Sequence, residues 1–279
     1  MKFGLSMFPT DYAIPVTELA KAAEDLGFES LLFPEHTHIP VGRRTPYPGG
    51  GELPREYSHT LDPFVACGAA AAVTKNLKVG TGVCLVMERD PIVLAKEVAS
   101  VDHLSDGRFL FGIGGGWNED EMEDHGTKPS LRWKILRERV AAMKELWTKD
   151  EGEYHGQFVD FGPSWSWPKP VQKPYPPIIV GGAGPRTLER VVEYGDEWMP
   201  IAGRTGEVLA GKVAELQVMA KAAGRGSIPV SIFGAGPNAE AVEQFAAMGV
   251  HRVLFGLRPA GTQDVLGQVR RYAELVKKL

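Results

Sequence analysis

The stretch RFLFGIGGGWNEDE, Arg108 to Glu121, decides how the chain is read. Phe109, Leu110, Phe111 and Ile113 form a nearly unbroken apolar run, the pattern of a strand buried on both faces in a parallel sheet. Gly114, Gly115 and Gly116 then remove every side chain, so the backbone can bend sharply or approach a bound group closely. Asn118 with Glu119, Asp120 and Glu121 has the composition of an N-cap and an acidic first helical turn. A strand, a bare turn and a helix start make a strand end suited to holding a ligand. A triple glycine alone suits a tight connection with no ligand equally well, so the other strand ends have to decide.

Outward from this block the same alternation repeats. Upstream come strands at Lys2 to Phe8, Ser30 to Phe33 and Leu77 to Val86. They are separated by a helix from Val16, whose apolar positions run to a stop at Gly27, by a small-residue helix from Pro63 to Val73, and by a helix that opens on Asp90 and Pro91. Downstream, a helix carries Trp133, Leu136, Val140, Met143 and Trp147 on one face and packs outside the barrel. Strands then read at Ile178 to Val180, Asp196 to Ile201, Pro229 to Phe233 and Val253 to Leu257, alternating with helices at Pro185 to Tyr194, Glu207 to Ala223, Ala239 to Met248 and Gln263 to Lys278. Eight strands in strict alternation with helices predict an α/β fold, a (β/α)8 TIM barrel. No linker divides residues 1–279, so a single domain is expected. Two insertions interrupt it: 37–62, after strand 2, and 152–177, before strand 5, with a hairpin around Tyr154 to Phe161. Loops of that length are usually functional lids or disordered, and Tyr47, Tyr57, Trp165 and Trp167 in them suit either a ligand cover or a dimer contact.

Composition narrows the function. A formal charge of −4 leaves no basic footprint for nucleic acid. No apolar run approaches a membrane span and no secretory apolar region opens the sequence, so a cytoplasmic protein is expected. Cys67 and Cys84 are too few for a disulfide framework and read as buried thiols.

In a (β/α)8 barrel the βα turns share one face, and that face carries the site. After strand 2 stand Glu35, His36, Thr37 and His38. His-x-His supplies two ligands for a metal-dependent barrel hydrolase, yet strands 5, 6 and 8 offer no third ligand, so a hydrogen-bonding role toward an organic ligand competes with it and no metal is expected. His59, His103, His125, His155 and His251 read as structural or solvated. Gly80, Thr81, Gly82 and Val83 interrupt strand 3 with either a bulge at a ligand or a plain kink. Gly181, Gly182, Ala183, Gly184, Pro185, Arg186 and Thr187 open a helix with bare N–H groups and a proline at N1, a seat for phosphate that is neither a Walker loop nor a dinucleotide fingerprint. Three glycine-rich strand ends and one polar end suit a flat ring with a phosphate tail, a flavin-like cofactor.

These segments resemble the luciferase-like monooxygenase superfamily, in particular its branch of oxidoreductases that use the deazaflavin coenzyme F420. The matching residues are KFGLSMFP at the start, ELAKAAEDLGFESLLFPEH at 18–36, LKVGTGV at 77–83, DPIVLAKEVASVDHLSDGRFLFGIGGGWNEDE at 90–121 and PPIIVGGAGPRTLERVVEYGDEWMP at 176–200. The resemblance implies that Glu35 and His36 contact the deazaflavin and that Gly82 and Val83 form a bulge, with a non-proline cis peptide, behind its ring. It further implies that Gly114, Gly115, Gly116 and Asn118 line the cofactor channel, and that Ala183, Gly184, Pro185 and Arg186 receive the phosphate. In the sugar-phosphate dehydrogenase branch a glutamate follows the glycine turn, whereas this chain has Trp117. The catalytic candidate is therefore His36. The resemblance implies a homodimer, acting on a small organic substrate held under the two insertions by hydride transfer. The alternatives are an FMN-dependent monooxygenase, the metal-dependent hydrolase, and a barrel that binds a cofactor without turnover.

Overall fold

In the computed structural model, which describes residues 1–203 and 208–279, Phe109–Ile113 form β4 with all five residues buried. Parallel pairing extends from it in both directions, through β3 (Lys78–Thr81), β2 (Ser30–Phe33), β1 (Lys2–Ser6), β10 (Arg252–Gly256) and β9 (Ser231–Ala235) on one side, and β7 (Ile178–Gly181) and β8 (Glu197–Met199) on the other. Parallel bridges Trp198↔Val230 and Ile201↔Phe233 join the two edges, so the eight strands form a nearly closed barrel. Each barrel strand is followed by a helix: α1 (Val16–Asp25), α2 (Pro63–Ala72), α3 (Pro91–Leu104), the pair α4 (Glu119–Asp124) and α5 (Arg132–Thr148), then α6 (Thr187–Tyr194), α7 (Leu209–Ala222), α8 (Ala239–Ala247) and α9 (Thr262–Val276). The fold is the expected (β/α)8 TIM barrel. The start expected at Glu207 for the seventh helix lies outside the described residues.

Two Asp-Pro pairs start helices in the same way. Asp62 accepts from the N–H groups of Phe64 and Val65, and Asp90 from those of Ile92 and Val93, with proline at N1 each time. Inside the barrel Leu32, Leu110, Ile179, Met199 and Leu254 form a small cluster, while the larger core lies between strands and helices. The N-terminal end of the barrel is plugged by a polar group. Arg252, 2% exposed, donates to Glu29 at 2.9 Å, to Glu197 at 2.8 Å and to Ser231 at 3.1 Å. Cys67 and Cys84 are both fully buried.

Three local expectations need correction. Strand 3 stops at Thr81, not at Val86, because the Gly82–Val83 peptide is cis and the chain then enters a 3-10 turn at Val86–Glu88. Helix α6 begins at Thr187, not at Pro185, because Arg186 takes a left-handed conformation with φ 64°. The third concerns the second insertion. Its hairpin, β5 (Glu151–His155) with β6 (Asp160–Trp165), follows the C-terminus of α5, and the rest is fastened to the N-terminal end of the barrel. Gln172 bonds Asp102 and the Phe109 carbonyl, and Lys169 bonds the carbonyls of Leu146 and Lys149. An αβ connection lies opposite the βα turns, so this insertion cannot cover the mouth.

Insertion 37–62 does reach the mouth. Thr45 gives its N–H and hydroxyl to Asp120 at 2.9 and 2.7 Å, Arg44 Nε donates to Asp120 at 2.7 Å, and the Arg44 guanidinium also pairs with Glu123. The loop is thereby tied to α4, directly after the glycine turn. The Arg44 and Thr45 donors hold the Asp120 carboxyl far below the usual carboxylate range.

Candidate active site

A cavity of about 420 Å3 opens among the C-terminal strand ends. Its floor is the end of β3. Val83 lies over Gly114 and Gly181, and Phe233 lies against Gly82, so that a Cβ on any of these glycines would overlap those side chains. Gly115 is bare for a similar reason, since the ring of Trp133 occupies the space its Cβ would need. The glycines thus admit protein side chains that shape the slot, and Gly116, at φ +63°, makes the turn itself.

At one end of the slot stands His36. Its Nδ1 is 2.7 Å from Oε2 of Glu121, which is fully buried and also accepts the Thr37 N–H at 2.9 Å. The other ring nitrogen, Nε2, is 3.3 Å from Nε1 of Trp117. Rings surround it: Tyr57 with its centroid 5.1 Å away, Trp117 at 5.7 Å and Phe8 at 6.4 Å. His38 is not part of this group. It pairs with Asp124 at 3.0 Å, and among the described residues no group of three or more His, Cys, Asp or Glu could hold a metal ion.

At the other end lie Arg190 and Arg132, flanking Trp133 with guanidinium carbons 3.7 and 5.7 Å from its ring centre. Arg132 pairs with Glu119 at 3.2 Å, whereas Arg190 forms no ion pair among the described residues, and burial lowers its pKa against the weaker pull of Tyr194 and Glu189. Beside it are Gly182, Gly184, Pro185 and Thr187, the first residue of α6. A guanidinium outside any ion pair, beside a helix N-terminus, has the donors an anion needs.

Behind the glycine turn three carboxyl groups converge. Glu35 is neutralised by Arg89, whose Nε donates at 2.6 Å, and it also accepts the Leu85 N–H at 2.6 Å. Glu121 is held by His36 and Thr37. Glu88, 8% exposed, has no hydrogen-bond partner on either oxygen among the described residues. Burial and then the charges of Glu121 and Glu35 push its pKa up to about 9, so it is a neutral acid at physiological pH.

With this geometry in place, the kinship of the chain can be stated. Residues 8–268 match the profile of a family described as luciferase-like monooxygenase. The chain belongs to that family. An uncharacterised protein of Mycobacterium tuberculosis is 42% identical over 278 residues, 98% of each chain. Among solved structures, the monooxygenase RslO1 from Streptomyces bottropensis superposes with a TM-score of 0.81 at 21% identity, covering 100% of this chain and 99% of the other. An F420-dependent secondary alcohol dehydrogenase, solved with an F420-acetone adduct, superposes with a TM-score of 0.78 at 18% identity over 99% of both chains. At those identities the likeness is one of fold. Luciferase-like proteins with this barrel include both F420-dependent enzymes and flavin monooxygenases.

Within this luciferase-like barrel the residues singled out in the sequence separate into two groups. Glu35, His36, Gly82, Val83, Gly114, Gly115, Gly116, Gly184 and Pro185 line the cavity. Ala183, Asn118 and Arg186 do not. Asn118 is buried behind the turn and caps nothing with its side chain; its amide nitrogen is 3.5 Å from Glu121. Arg186 is turned outward onto Glu189 at 2.7 Å, because its left-handed backbone ends the turn one residue before the helix. Arg190, one turn further along α6, lines the cavity. Glu121, Glu88, Arg132, Trp133 and Phe8 were not singled out. The sequence did carry a signal for Glu121, as a carboxylate three residues after an N-cap, but it reads equally as an ordinary first-turn acid.

Proposed function

We propose that the protein is an oxidoreductase that moves a hydride between coenzyme F420 and a small organic substrate in this cavity. The observation that carries the reading is the pairing of opposite ends in one slot: an acid-backed imidazole at His36 and an unpaired guanidinium at Arg190. The donor set suits the group, since Val83 and Phe233 present an apolar floor for a flat ring, and Arg190, Arg132, Thr187 and the bare turn at Gly182 to Pro185 offer donors for its phosphate. The deazaflavin, when bound, supplies the two-electron chemistry. The chain's own residues position it, exclude water with the 37–62 loop and its Tyr57, and accept or return a proton at His36 Nε2.

FMN-dependent monooxygenation is the second reading, and it too has an observation in its favour. Two guanidiniums line one seat, Arg190 in no ion pair among the described residues and Arg132 paired with Glu119 at 3.2 Å, a set that suits a terminal phosphate. Titration of the purified protein with each coenzyme, followed by absorbance and fluorescence, separates the two. Preference for F420 is expected; preference for FMN with substrate-dependent oxygen consumption supports the second reading, and binding of neither overturns both. The metal-hydrolase alternative lacks its geometry, because His36 and His38 are engaged by different acids. A homodimer is part of the proposal. It draws support from the exposed Val65 on α2 and Ile92, Val93 and Leu104 on α3, and light scattering of the purified protein tests it. Among the described residues no helix is long and apolar enough to cross a membrane.

A further inference from the structure

The two partners of His36 admit one placement of its proton. An indole N–H can only donate, so the contact with Trp117 at 3.3 Å requires a lone pair on Nε2. A neutral imidazole with a lone pair on Nε2 carries its proton on Nδ1, where Glu121 Oε2 stands at 2.7 Å. Glu121 is in turn fixed by the Thr37 N–H on its other oxygen and is fully buried. The groups around the pair are Glu88, which is neutral, Glu35, which is matched by Arg89, and His125, which contacts the Thr37 hydroxyl at 2.6 Å. The rings of Phe8, Tyr57 and Trp117 form the apolar surround, and the arginines of the cavity lie at its far end.

We propose that Glu121 is a positioning residue that locks His36 in its Nδ1–H form, so that the site presents Nε2 as an acceptor and selects a small, uncharged, largely apolar substrate bearing an O–H or N–H donor. The substrate's donor takes the place now held by the indole N–H of Trp117. When that group gives up its proton, the proton passes to Nε2, and the imidazolium so formed is held by the Glu121 carboxylate. A carboxylate or phosphate substrate would meet a lone pair and ring edges there, with no cation to receive it. This inference rests on reading the cavity as the catalytic chamber, and its test needs no coenzyme.

Nitrogen NMR of protein labelled at histidine reads the tautomer directly, with the His36 signal identified by its loss in His36→Asn. Wild type and Glu121→Asp are expected to show Nδ1 protonated and Nε2 bare. Glu121→Gln, whose amide can also donate to Nδ1, is expected to populate the Nε2–H form. Benzyl alcohol and benzaldehyde serve as matched probes, one a donor and one an acceptor, followed through the His36 signals. Wild type should bind the alcohol about fivefold more tightly, the worth of one net hydrogen bond, and Glu121→Gln should bring that ratio toward one. An Nε2–H tautomer in wild type, an unchanged tautomer and ratio in Glu121→Gln, equal or tighter binding of the aldehyde, or no binding of either probe at millimolar concentration overturns the proposal. Should Glu121→Gln fail to fold by circular dichroism, wild type and Glu121→Asp decide it alone. The coenzyme titration is scored separately: the expected tautomer and ratio with no coenzyme bound overturn only the redox reading, and the reverse result overturns only this one.

Discussion

Glu88 is the residue whose charge state has the widest consequence. In the folded protein it keeps its proton up to about pH 9, whereas the ordinary value for a glutamate is 4.5. Between those values the native state binds one proton more than the unfolded chain, so stability falls as pH rises through that window and levels off above it. The slope is at most about 1.4 kcal/mol per pH unit. Glu88→Gln keeps the shape and removes the titration. Urea unfolding at about pH 5 and about pH 8 should show the variant gaining on wild type by about 2 kcal/mol or more at the higher pH; parallel behaviour would show that Glu88 is ionised. Arg190 makes the second prediction at this scale. Arg190→Ala should weaken coenzyme binding about tenfold or more, as the loss of a charge-assisted contact does, while Arg186→Ala should leave it nearly unchanged. Equal losses in the two variants would restore the phosphate seat to the position first read from the sequence.

Among the elements, the barrel strands were the most legible. Phe109–Ile113 and Ile178–Gly181 are fully buried, so their apolar runs could be recognised without knowing their partners. The helix start at Asp90-Pro91 was legible too, since its capping is local. What could not be seen is how long-range contacts reuse the same residues. The glycines of the β4 turn read as room for a ligand, and much of that room is filled by Val83, just past the end of β3, and Trp133, from α5. Asn118 does stand at the N-cap of α4, but its side chain makes no capping bond and lies buried beside Glu121. Insertion 152–177 reads by its length and aromatic content as a cover for the mouth, but its place between a helix and a strand puts its chain at the opposite end. The 37–62 loop, by contrast, is a cover, and Asp120 is its anchor. Asp120→Asn should therefore hasten trypsin cleavage at Arg43 and Arg44 and lower substrate affinity without changing the circular dichroism spectrum. Unchanged cleavage would mean that the loop is held elsewhere.

The molecule as a whole keeps stability and chemistry at opposite ends of the barrel. Arg252 with Glu29, Glu197 and Ser231 closes one end, and the slot opens at the other, with the apolar cluster around Leu110 and Leu254 between them. Removing one member of a buried ionic group leaves the others unmatched. Arg252→Ala should cost about 3–5 kcal/mol in urea unfolding, while coenzyme affinity at low temperature stays near wild type. A large loss of affinity in a still-folded variant would show that the two ends are coupled. The hairpin at Glu151–His155 and Asp160–Trp165 lies along α5, where the Phe158 and Val159 N–H groups donate to Glu138, and both native thiols are buried with pKa values that burial pushes up. A cysteine introduced at exposed Gln157, at the tip of that hairpin, is thus the one thiol a maleimide can reach, which gives a handle for a surface or a fluorophore on a flank of the barrel that contributes no residue to the slot.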